Sequence, residues 1–169
     1  MGVAGDKWKV TGDKWQVISK KRWSVQKRNE SSVYDSNEKL AVRSFKDLVV
    51  WQKSMVLAKE VYEMTRSFPE EERFGLAAQL RRCAVSIPSN IAEGQGRSQG
   101  KEFLRYLQIA KGSQQELETQ ILLCDSLGYL NKEQSAHMIN LTHEVGRMLA
   151  GLGRSVRAGM KSRSKTGQT

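Results

Sequence analysis

The sequence predicts an all-α protein built as an antiparallel, up-down-up-down four-helix bundle. Three observations predict it. From Ser44 onward, apolar residues recur at steps of three and four in four successive stretches. Those stretches open on capping residues or close on Gly and Pro. The connections between them are only a few residues long, which joins consecutive helices as antiparallel neighbours.

The first helix starts at the capping box SFKD, in which Ser44 accepts from an amide ahead and Asp47 reaches back. It carries two apolar stripes. Leu48, Trp51, Met55, Ala58 and Tyr62 form one, assigned to the core; Val50, Leu57, Val61 and Met64 form the other. Together they cover roughly 200° of the helix surface, where a single core needs about 100°. Burying the excess is worth ~1.5–3 kcal/mol per large side chain, so Val50, Leu57, Val61 and Met64 are the candidate contacts of a homo-oligomer.

The break at Phe68-Pro69 starts the second helix, whose acidic first turn suits the helix dipole. Leu76, Leu80, Cys83, Ile87 and Ile91 face the core, Pro88 is expected to kink the helix, and it runs to about Glu93. The glycines of GQGRSQG then make the turn. Ser98 is the expected N-cap of a third helix that buries Phe103, Leu107, Ala110, Leu117, Ile121 and Cys124 and ends at Gly128. Asn131 and Gln134 cap the fourth helix, which presents Met138, Leu141, Val145, Met148 and Leu152.

Beside the core stripe of the second helix runs a polar one: Gln79, Arg82, Ser86, Asn90 and Glu93. On the third helix Ser113, Glu116 and Gln120 flank the core, and an antiparallel pairing brings Arg82 towards Ser113 and Glu116, with Arg82 to Glu116 as an ion pair. Two readings stand. The seam of Gln79, Arg82, Ser86, Asn90, Glu93, Ser113 and Glu116 either fixes helix register or a subunit contact by hydrogen bonds, or forms a groove that meets a ligand or RNA. Arg81 projects away from both stripes and, with Arg97, is the candidate contact to nucleic acid.

Enzymatic chemistry has no residue set to stand on. No Glu-x-x-His motif of the di-iron bundles occurs, and His137 and His143 lie six apart on one helix, pointing in different directions. The run GQGRSQG lacks the Gly-Lys-Ser/Thr ending of a P-loop and follows a helix where nucleotide fingerprints need a strand. Cys83 and Cys124 are isolated and read as small apolar residues. No catalytic, cofactor-binding or metal-binding residue is assigned, and no cofactor is expected.

The net charge of +10 is unevenly placed. Residues 1–43 hold 10 basic and 5 acidic side chains, residues 44–153 hold 13 of each, and residues 154–169 hold 5 basic and none acidic. Attraction to phosphate therefore resides in the ends. Residues 1–43 contain KWKV, KWQV and RWSV, a basic and tryptophan-bearing repeat that suits single-stranded nucleic acid but has no core-forming pattern. This segment is expected to be a disordered tail or an upstream extension, and residues 154–169 a basic disordered tail. No apolar run nears the ~20 residues that cross a bilayer, and the N-terminus lacks the apolar core of a secretory signal, so a cytoplasmic protein without a membrane partner is expected.

The stretch from Ser44 to about Leu152 resembles the bacterial four-helix bundle family of ribosomal-RNA intervening-sequence proteins, which includes proteins described as ribosomal. The resemblance rests on Phe45, Leu48 and Trp51; the Phe68-Pro69 break; Gln79-Leu80-Arg81-Arg82; the run from Ser86 to Gly94; and Gly112-Ser113 followed by Glu116. It implies a homopentamer without known catalytic residues, and places residues 1–43 before the usual family start. A related protein is the accessory subunit of diversity-generating retroelements, a basic pentamer that binds reverse transcriptase and RNA; the bundle here is neutral by contrast. The expectation is a non-enzymatic, oligomeric binding or assembly module associated with RNA or a nucleic-acid-handling protein. The alternative is a scaffold or adaptor without nucleic-acid contact.

Overall fold

The computed structural model describes residues 7–11, 14–18, 44–97 and 100–166. Two units are present. In the first, strands β1 (Lys7–Thr11) and β2 (Lys14–Ile18) pair antiparallel, with Trp8 opposite Val17 and Val10 opposite Trp15. Two of the three Trp repeats thus form the two sides of a hairpin; the third, and most of the expected tail, lie outside the described residues.

The second unit is a four-helix bundle of α1 (Val49–Met64), α2 (Leu76–Gly96), α3 (Gly100–Ser126) and α4 (Lys132–Thr166). Each helix packs on the next, and α1 on α4 closes the square. Side-chain pairs between neighbours run in opposite directions along the chain, as an up-down-up-down bundle requires. Lys53 meets Glu144 and Glu60 meets His137 between α1 and α4; Ser86 meets Ser113 and Glu93 meets Tyr106 between α2 and α3. Leu57, Val61, Leu80, Ile87, Ile91, Leu117, Ile121, Val145 and Leu149 fill the centre.

Local signals explain the helix ends. Both halves of the Ser44/Asp47 box are made around a 3₁₀ turn, Phe45–Asp47. Asn131 Oδ1 accepts from the Gln134 amide at 2.8 Å, and Gln134 Oε1 from the Asn131 amide at 3.0 Å. At the end of α3, Gly128 takes φ of 75°. The Tyr129 amide bonds the Cys124 carbonyl and the Gly128 amide that of Asp125, the paired bonds of a Schellman motif.

Four sequence expectations are corrected. The second apolar stripe of α1 faces inward: Leu57 and Val61 are 0% exposed, Val50 is buried and Met64 packs on the core; of the first stripe Leu48 and Ala58 are buried as well, while Met55 and Tyr62 are 46% and 45% exposed. The proposed interface residues Val50, Leu57, Val61 and Met64 therefore belong to the core of the single chain. Ser54 and Thr65 share that inner face because each hydroxyl bonds a carbonyl of its own helix, of Trp51 and Val61, and so enters the core satisfied.

Secondly, α2 does not begin at Pro69. A 3₁₀ turn, Glu70–Arg73, intervenes, and the Glu72 carboxylate supplies the cap, accepting from the Leu76 amide at 2.8 Å. Thirdly, α2 runs unbroken through Pro88 and continues past Glu93 to Gly96. Around the proline, which offers no amide, Ser89 and Asn90 donate to the carbonyls of Val85 and Ser86. Gly94 does not bend the chain. It lets α3 approach: a Cβ there would stand 2.6 Å from Tyr106 Cβ and 2.9 Å from Phe103 Cδ2. The expected cap Ser98 lies outside the described residues.

Lastly, α4 continues through the stretch expected to be a tail, as far as Thr166. Val156 packs against the core and Met160 meets Gly100, so the helix keeps an apolar edge after Gly153.

Candidate functional site

Along the α2–α3 seam the structure joins Ser86, Asn90 and Ser113. Ser86 Oγ and Ser113 Oγ are 2.8 Å apart, and Asn90 Nδ2 donates to the Ser86 carbonyl at 2.8 Å and to its hydroxyl at 3.0 Å. One turn on, Glu93 Oε1 accepts from Tyr106 Oη and from Arg97, each at 2.7 Å. Those bonds, the tyrosine's first, hold the Glu93 carboxyl below its ordinary pKa, and the bond to the Glu93 carboxylate pushes the Tyr106 hydroxyl up. Arg97 also lies over the Tyr106 ring at 5.5 Å, so this candidate RNA contact is engaged by its own bundle.

The remaining seam residues are not drawn into the same group. Glu116 falls level with Cys83, where its carboxylate accepts from Gln120 Nε2 at 3.3 Å. Burial, with that carboxylate beside it, pushes the Cys83 thiol up to about 11. Among the described ion pairs none joins Arg82 to Glu116. The register set by Ser86–Ser113 and Glu93–Tyr106 places Cys83, not Arg82, opposite the carboxylate. Gln79 and Arg82 are exposed on the outer edge of α2.

Arg81 is half-buried where exposure was expected. Its Nε donates to Thr65 Oγ1 at 2.8 Å, a second guanidinium nitrogen lies 3.4 Å from the Thr65 carbonyl, and the group sits 5.2 Å from the Tyr62 ring centre. The two neighbouring arginines thus exchange roles, because the 100° step from Leu80 turns residue 81 towards α1.

Two depressions adjoin on the outer α1–α2 face, sharing Tyr62 and Val85. One, of about 440 Å³, is apolar and includes Trp51, Met55, Ala58 and Pro88. The other, of about 630 Å³, is lined by Tyr62, Arg73, Phe74, Ala78, Arg81, Arg82, Val85 and Ser86. Phe74 is 86% exposed there, with Arg73 5.4 Å from its ring centre. Sequence reasoning missed Phe74 and Arg73, which sit between helices and outside any periodic stripe. It also missed Tyr106, although Tyr106, Ser113 and Gln120 recur at seven-residue spacing on one row of α3.

On the opposite side, between α3 and α4, His143 Nε2 lies 2.9 Å from Glu118 Oε1 and Gln114 Nε2 donates to Glu118 Oε2 at 2.9 Å. Lys111 closes the group on Gln114 Oε1. Gln114 is almost fully buried and was not foreseen; Gly146 makes room for it, since a Cβ there would stand 2.8 Å from Gln114 Oε1. Among the described residues, no group of three or more His, Cys, Asp and Glu could hold a metal, and no helix is long and apolar enough to cross a membrane.

The profile of the 23S rRNA-intervening sequence protein family matches residues 46–151, which span α1, α2, α3 and the first twenty residues of α4. The chain belongs to that family. Among solved structures it is similar to a protein of unknown function from the S23 ribosomal protein family of Bacteroides thetaiotaomicron VPI-5482, determined at 1.70 Å. Identity is 26%, covering 62% of this chain and 97% of the other, with a TM-score of 0.56. A comparison with curated proteins gave no match. The matched residues contain the lining of both α1–α2 depressions except Phe45, and the whole α2–α3 seam, and exclude the paired strands and the last turns of α4.

Proposed function

We propose that this protein is a non-enzymatic, oligomeric binding or assembly module whose partner is RNA or a nucleic-acid-handling protein. The observation that carries the reading is the outer α1–α2 face, where an apolar depression runs into one lined by arginines and aromatic rings. An apolar contact surface beside a cationic one suits a protein that packs on its own copies and meets phosphate. Membership of a family named for an insert in 23S rRNA supports the RNA side of the reading. The self-contact is assigned to Trp51, Met55, Tyr62 and Val85, replacing the inner residues that the sequence pattern suggested, and a pentamer is the expected stoichiometry. The seam of Ser86, Asn90, Glu93 and Ser113 acts as the register lock of α2 on α3. A cytoplasmic location fits the same reading.

A second reading, a scaffold without nucleic-acid contact, is favoured by Ile109, Leu123 and Leu127, exposed apolar residues on one outward row of α3. Native mass determination of the full chain, with RNA binding followed across salt, tests both. An oligomer whose RNA affinity falls steeply with salt supports the first; an oligomer with no such affinity leaves the scaffold.

A further inference from the structure

Resting on the RNA reading above, we infer that the arginine-lined end of the α1–α2 face binds single-stranded RNA, with a base on the Phe74 ring and the adjoining phosphates on Arg73 and Arg82. Phe74 is 86% exposed, which core packing does not require, and its ring offers the flat apolar surface on which a base stacks. Arg73 lies over one face of that ring, 5.4 Å from its centre, so a cation accompanies the ring on which the base stacks. Arg82 is exposed on the same wall. Arg81 is held by Thr65 and stacked on Tyr62, adding positive charge without a side chain that must be ordered on binding.

Among the described residues, no carboxylate lines the depression. Glu72, close in sequence, is turned away to the Leu76 amide and the Tyr129 hydroxyl. A protein partner would need to bring carboxylates and apolar side chains together; a nucleotide carries both a π-face and a phosphate in one unit. The volume of about 630 Å³ is within the ~300–1,000 Å³ of pockets that hold such a ligand. Bases in an A-form duplex are stacked on one another, so only a single strand can offer one to Phe74.

The test uses the full chain, fluorescein-labelled oligouridylate and a duplex RNA of equal length, at several salt concentrations. The single strand is expected to bind more tightly than the duplex. Phe74→Ala should weaken it about tenfold, the loss of one stacked base. Arg82→Gln should weaken it and flatten the salt slope by about 0.7, the loss of one phosphate contact. Arg105→Gln, removing an exposed cation of α3, should leave affinity within about twofold of the parent. Unfolding temperature and native mass should be unchanged in all three, since each side chain is exposed. If the parent binds and Phe74→Ala and Arg82→Gln bind equally well, the groove assignment falls while the RNA reading stands. If the parent shows no salt-dependent binding, the RNA reading itself falls. A change of native mass with unchanged RNA affinity would make the groove a contact between protein chains, which also overturns the inference.

Discussion

Gly94 of α2 lies against Tyr106 of α3 so closely that a Cβ on the glycine would stand 2.6 Å from Tyr106 Cβ. Tyr106 Cβ lies next to the backbone and Phe103 Cδ2 on a ring, so neither can swing aside as the end of a flexible chain would. Gly94→Ala must push α2 and α3 apart, at a cost of ~1–3 kcal/mol set against the ~1 kcal/mol that alanine gains in a helix. A lower midpoint in urea is expected. At Gly112, where a Cβ would meet nothing within 4 Å, the same substitution should stabilise by up to ~1 kcal/mol. Equal stability of the two variants would show that close approach is not the role of Gly94.

That contact marks the boundary of what sequence can show. Periodicity locates helices well, because Leu80, Ile87 and Ile91 or Leu117, Ile121 and Cys124 leave one continuous inner stripe. It cannot say which of two apolar stripes on α1 faces in. Met55 and Tyr62 share a stripe with the buried Leu48 and Ala58 yet stand exposed, and the fully inner face is the one with Ser54 and Thr65, whose hydroxyls are satisfied within the helix. Along the seam Ser86 meets Ser113 and Glu93 meets Tyr106, a register that the sequence pattern does not give because α2 runs on to Gly96. Phe74 and Gln114 carried no periodic signal: one lies between helices, the other is a polar residue at an inward position.

Tyr129 donates to Glu72 Oε1 at 3.1 Å, while Glu72 Oε2 caps α2 through the Leu76 amide. The Phe68 and Tyr129 rings meet at 5.4 Å beside it, so one carboxylate ties the α1–α2 connection to the α3–α4 connection. Tyr129→Phe should cost about 1 kcal/mol, and Glu72→Ala about 1–2 kcal/mol because the cap is lost as well. The double variant should cost less than the sum of the two. Strict additivity in denaturation would mean that the hydroxyl and the carboxylate are not coupled.

Glu118 gives the protein an acid-sensitive bond. The His143 hydrogen bond, and then that of Gln114, hold its carboxyl below the usual carboxylate range. A depressed native pKa adds stability above the unfolded value of about 4.3, and that stability is lost as pH falls through the native value. Between about pH 5 and pH 3 the parent should therefore lose more stability than Glu118→Gln, which has no proton to take up there. Urea midpoints measured across that window check it; parallel curves for the two proteins would remove Glu118 from the acid response.

Leu57 and Met55 of α1 separate folding from self-association. Leu57 is 0% exposed and Met55 is 46% exposed on the apolar depression that also holds Trp51 and Pro88. Leu57→Ala leaves a cavity and should destabilise by ~2–5 kcal/mol, enough to consume much of a small domain's stability. Met55→Ala removes no buried contact of comparable size, so the single chain should keep its helical signal and lose under ~0.5 kcal/mol. Its native mass should nonetheless fall, because the side chain is assigned to the face that meets the next copy. Were Leu57→Ala to remain folded and lose only its oligomeric state, Leu57 would belong to the self-contact and not to the core. Were Met55→Ala to assemble as the parent does, the self-contact would move to the Ile109, Leu123 and Leu127 row of α3.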